Sequence, residues 1–166
     1  GTGVHADGDP LYMAISGTSP ATAVGAASAG LMRQFLRTET GLSGDVTSDL
    51  VKAALINGGK DLGSPNIPNP SEGWGQIDLE NSMYPMSGTV PLNSWYDNTQ
   101  ELEPGFGFIY TFSLDSSTGI DITLVWLDPS GSSAGSQSTA RLVNDLDLQL
   151  IAPDGTIWLG NNFASG

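Results

Sequence analysis

Ser16-Gly17-Thr18-Ser19-Pro20-Ala21-Thr22 is the stretch on which the reading of this chain turns. Serine followed by proline starts a helix well: Ser19 suits the N-cap, and Pro20 suits the first helical position, where its missing N–H costs nothing. Ala21, Ala26, Ala27 and Ala29 continue the helix, and Arg33 and Arg37 stand toward its C-terminal end, where cations are favoured. From Pro20 to Leu31 there is no charged residue, which predicts a buried helix. Gly17, Ala21, Gly25 and Ala29 recur every fourth residue, leaving one face bare enough for close approach. Taken alone, Ser19-Pro20 reads as an ordinary cap. The same position also suits a nucleophile. Free N–H groups and the helix dipole favour negative charge there, and the serine's own N–H can face a developing oxyanion.

Downstream, a second helix is expected from Ser48 to Asn57, with Val51 and Leu55 on one face and Gly58 ending it. Residues 63–73 read as a loop, and Asp78 is placed to cap a short helix over Leu79–Met83. Near residue 87 the composition changes. Phe106, Phe108, Tyr110, Phe112 and Leu114 alternate with smaller residues, as do Ile120, Ile122, Leu124 and Trp126, and then Leu146, Leu148 and Leu150. That is the period of half-buried strands. Pro153-Asp154-Gly155 is a turn signal, with a short strand expected around Ile157–Leu159. Two units follow from this, residues 1–86 and residues 87–166. Val24, Leu31, Val51 and Leu55 are expected in the core of the first. The core of the second is expected to hold Phe108, Tyr110, Leu124, Trp126, Leu146 and Leu148.

Charge narrows the partners. Five basic residues stand against 18 acidic ones in 166, a formal net charge of −13. Nucleic acid is a poor partner, because phosphate binding needs clustered Lys and Arg. The chain has no cysteine, so disulfides, thiolate metal sites and cysteine nucleophiles drop out together. No apolar run approaches the roughly 20 residues that cross a bilayer, so a membrane is not expected as a partner. The start at Gly1 and the stop at Gly166 both read as cuts within a longer protein.

Gly17-Thr18-Ser19-x-Ala21-Thr22 resembles the nucleophile motif of the subtilases, the subtilisin-like serine proteases. Leu50-Val51-Lys52-Ala53-Ala54-Leu55-Ile56 looks like that family's helix after the nucleophile. Gly73-Trp74-Gly75-Gln76-Ile77-Asp78 looks like the stretch before its last helix. Leu142-Val143-Asn144-Asp145-Leu146-Asp147-Leu148 and Ala152-Pro153-Asp154-Gly155-Thr156 resemble the β-sandwich appended in one subgroup. The resemblance touches most of the chain from about Tyr12 onward. It departs at Pro20, Ala23 and Val24, where the family more often has methionine, proline and histidine.

The resemblance implies the C-terminal part of an α/β subtilisin-like catalytic domain over 1–86, followed by an incomplete antiparallel, jelly-roll-like β-sandwich over 87–166. It implies a secreted, extracellular serine endopeptidase acting on proteins or peptides, with Ser19 as the catalytic nucleophile. The aspartate and histidine partners would come from the upstream part of the same protease. The alternative is a non-catalytic relative with a structural or binding role. His5 lies 14 residues before Ser19, and Val4-His5-Ala6-Asp7 does not look like the family's histidine motif, so His5 reads as a loop residue. Asp7-Gly8-Asp9 reads as a surface turn. Asn144, Asp145 and Asp147 are the candidate metal ligands, for a structural calcium ion, which takes several such oxygens. Their alternation equally suits the solvated face of a strand.

Overall fold

The computed structural model describes residues 15–42, 44–63, 67–87, 89–114, 119–131 and 142–160. His5 and the Asp7-Gly8-Asp9 turn lie outside them.

Helix α1 spans Thr18–Thr38 and begins one residue before Ser19. Its N-cap is Gly17, at φ 138° and ψ 175°, a region essentially confined to glycine. Ser19 is therefore the second helical residue rather than the cap. Pro20 still falls in the first turn, where its ring is tolerated. Helix α2 spans Ser48–Asn57 and is capped by Gly58, whose N–H donates to the Ala54 carbonyl at 3.2 Å, while the N–H of Gly59 donates to that of Ile56 at 3.0 Å. Helix α3, Leu79–Met83, is capped by Asp78, whose carboxylate accepts the N–H of Asn81 at 3.0 Å.

The three helices pack on one another around Met32 and Leu36 of α1, Val46 of the connection, and Leu50, Val51 and Ala54 of α2. Ala29, Phe35, Leu55, Met83 and Tyr96 pack against that cluster. Of the residues expected in this core, Val51 is buried and Leu55 half-buried. Val24 and Leu31 are instead 62% and 52% exposed. The core stripe Ala29-Met32-Leu36 occupies one face of the C-terminal half of α1; Leu31 lies beside that stripe on another face, and Val24 lies in the uncharged N-terminal half, which gives the cluster no side chain. Gly25 is its point of close approach, since a Cβ there would meet Ile77 Cδ1 at 3.9 Å.

Strands β1 (Met86–Ser87) and β2 (Val90–Pro91) form a short antiparallel hairpin. Strands β3 (Gln149–Ile151) and β4 (Ile157–Leu159) form another, with Leu150 opposite Trp158. Gly155 turns the second at φ 85°, and Asp154 accepts the N–H of Thr156 at 2.9 Å. Residues 106–114 and 119–131 run without a hydrogen-bonded ladder among the described residues. The expected alternation nevertheless shows in the side chains: the rings of Phe108 and Tyr110 lie 4.8 Å apart and those of Tyr110 and Phe112 6.3 Å. Trp95 meets the rings of Tyr110 and Phe112 edge-on at 4.8 and 5.7 Å. Phe108, Tyr110 and Leu124 remain exposed, whereas Trp126, Leu146 and Leu148 are half-buried.

Candidate active site

Ser19 is exposed in the first turn of α1. Gly17 supplies no capping side chain, and no acidic residue occupies that turn. The first turn therefore carries no charge of its own against the positive end of the helix dipole. Pro20 contributes no N–H, and the N–H of Ala21 donates to the Gly17 carbonyl at 3.3 Å. The first-turn donors left for an outside group are those of Thr18 and Ser19. Thr22 turns its hydroxyl back onto the Thr18 carbonyl at 2.8 Å, which keeps it off the serine. This corner can present a hydroxyl and donate to an anion. Among the described residues, no imidazole or carboxylate hydrogen-bonds Ser19.

The candidate metal ligands lie elsewhere, before β3. Asn144, Asp145 and Asp147 are exposed. The N–H groups of Val143 and Asn144 donate to the two carboxylate oxygens of Asp128 at 2.7 and 2.8 Å. These bonds, from Val143 first, hold the Asp128 carboxyl below its usual value. The Asn144 carbonyl accepts from the Trp126 indole at 3.2 Å. Among the described residues, no three acidic or histidine side chains come together to hold an ion.

One grouping had no counterpart in the sequence motifs. Asp97 accepts from the N–H and hydroxyl of Thr99, the amide of Gln100, and the hydroxyl of Tyr110 at 2.8 Å. The Thr99 hydroxyl, followed by the other donors, holds the Asp97 carboxyl down to about 2. Desolvation and the neighbouring Asp97 push Tyr110 up to about 12. The sequence signal was the adjacency of Trp95, Tyr96 and Asp97, just before an aromatic strand pattern.

No family model matches the chain. It is similar to two proteins of Dictyostelium discoideum. With the serine protease/ABC transporter B family protein tagA it shares 37% identity over 168 residues, covering 90% of this chain and 9% of that protein. With tagB, of the same description, it shares 30% over 207 residues, covering 92% of this chain and 11% of that protein. The chain spans about a tenth of the length of these relatives. It is thus related, over nearly its whole length, to part of proteins named as serine proteases. Among the described residues, no helix is long and apolar enough to cross a membrane.

Proposed function

We propose that this chain belongs to a secreted, subtilisin-type serine endopeptidase. Residues 1–86 close the catalytic domain, and residues 87–166 belong to an appended antiparallel β-sandwich. Ser19 attacks the carbonyl of a protein or peptide substrate, and its own N–H helps hold the oxyanion. The base that takes the serine proton, and the carboxylate that orients that base, come from polypeptide upstream of this chain. The observation that carries the reading is the exposed Ser19 in the uncapped, acid-free first turn of a 21-residue helix. The names of the two relatives support it.

The test compares peptide hydrolysis by the full-length protein, its Ser19→Ala variant and the present chain alone. Loss of roughly 10⁴-fold or more in kcat is expected for Ser19→Ala, and no turnover from the chain alone. An active Ser19→Ala protein would remove the serine from its role. Activity in the chain alone would remove the need for an upstream base.

A further inference from the structure

A groove of about 780 Å³ runs between the C-terminal end of α1 and the segment that follows β2. That volume falls in the range, roughly 300–1,000 Å³, typical of ligand sites. Phe35, Tyr84, Trp95 and Tyr96 line it with aromatic rings, and Glu39 and Asp97 with carboxylates. No Lys, Arg or His is among its described lining residues.

Its two walls are built differently. On one, Phe35 and Tyr84 meet edge-on, with centroids 5.2 Å apart, and Tyr84 stays 61% exposed. On the other, Tyr110 lies behind both polar and aromatic elements: its hydroxyl donates to Asp97, while its ring braces Trp95. Trp95 is 58% exposed even so. Four donors surround the Asp97 carboxylate, which therefore acts through its charge rather than through a free oxygen. The Glu39 carboxylate has no partner among the described residues and is free to accept.

We propose that this groove binds a cationic peptide segment, taking an arginine or lysine side chain against its aromatic rings. A cation gains from the face of a tryptophan or tyrosine ring, and more so where nearby carboxylates deepen the negative potential. A neutral apolar ligand would leave both carboxylates without a counterpart. An anionic ligand would face a chain of net charge −13. The groove is separate from Ser19, which lies at the opposite end of α1, and its ligand need not be a substrate.

The experiment uses the full-length protein carrying Ser19→Ala, so that a probe is not consumed. Fluorescein-labelled Gly-Ser-Arg-Arg-Ser-Gly is titrated by anisotropy against the same peptide with citrulline, a neutral isostere, in place of both arginines. The arginine peptide is expected to bind at least about tenfold more tightly. Trp95→Ala should weaken it by about tenfold and Glu39→Gln by about threefold, whereas Trp95→Phe should retain most of the affinity. Equal binding of the two peptides would overturn the proposal. So would arginine-peptide binding unchanged in both Glu39→Gln and Trp95→Ala, or its absence up to about 1 mM. If Trp95→Ala fails to fold, the citrulline comparison and the exposed Glu39→Gln still decide.

Discussion

Gly17 and the Asp97–Tyr110 pair show how much rests on single positions. With φ 138° and ψ 175° at Gly17, a Cβ would strain the backbone at the point where α1 begins and Ser19 is aimed. Gly17→Ala is expected to cost about 1–3 kcal/mol and to lower the kcat of the full-length protein. Unchanged urea unfolding and unchanged kcat would show that the helix start tolerates a side chain. Asp97, lowered from 3.8 to about 2, contributes stability above pH 3.8 and loses it as pH falls toward 2. Tyr110, raised from 10.0 to about 12, contributes stability below pH 10 and loses it as pH rises toward 12. Both partners therefore hold the contact between about pH 4 and pH 10. Spectrophotometric titration of the tyrosines should show one ionising near 12, absent in Tyr110→Phe. A single transition near 10 for every tyrosine would contradict the contact.

Among the elements, α1 and α2 make the packing prediction sharpest. Leu36 is fully buried between them, and Leu36→Ala is expected to cost about 2–5 kcal/mol. A Cβ at Gly58 would overlap Ser82 of α3, its backbone Cα and N among the atoms met. Gly58→Ala is therefore expected to cost about 1–3 kcal/mol. Urea unfolding followed by tryptophan fluorescence measures both, and no change at either site would contradict the helix packing. The same elements show what could be read beforehand. Helices α2 and α3 were legible to their ends, because Gly58 and Asp78 are local cap signals. The start of α1 was not, because no residue type announces a φ of 138° at Gly17 over a cap at Ser19. The bare stripe on α1 was visible, but which half of the helix lay against α2 depended on a distant segment. Alternation at Phe108, Tyr110 and Phe112 marked one shared face, and the rings do meet there. A ladder needs a second strand, and that is non-local information.

At the scale of the whole molecule, the exposed apolar side chains of Ile15, ahead of α1, and of Val24 and Leu31 on it, and the uncapped turn around Ser19 point the same way. On the proposed reading both face upstream polypeptide of the same protease, which covers the helix and supplies the base. Val24→Ser in the full-length protein should then lower the melting temperature by several degrees, as loss of a buried contact does. No shift would mean the helix face stays in water. The candidate nucleophile was legible because the resemblance that marks it is local, carried by Gly17 to Thr22. Its general base lies beyond what those residues can specify. Treating the native full-length protein with a fluorophosphonate probe, and mapping the modified residue by peptide mass spectrometry, tests Ser19 as the nucleophile. A single phosphonylated serine is expected, at Ser19, and lost when the protein is first unfolded in urea. A modified serine elsewhere, with Ser19 unlabelled, would contradict it.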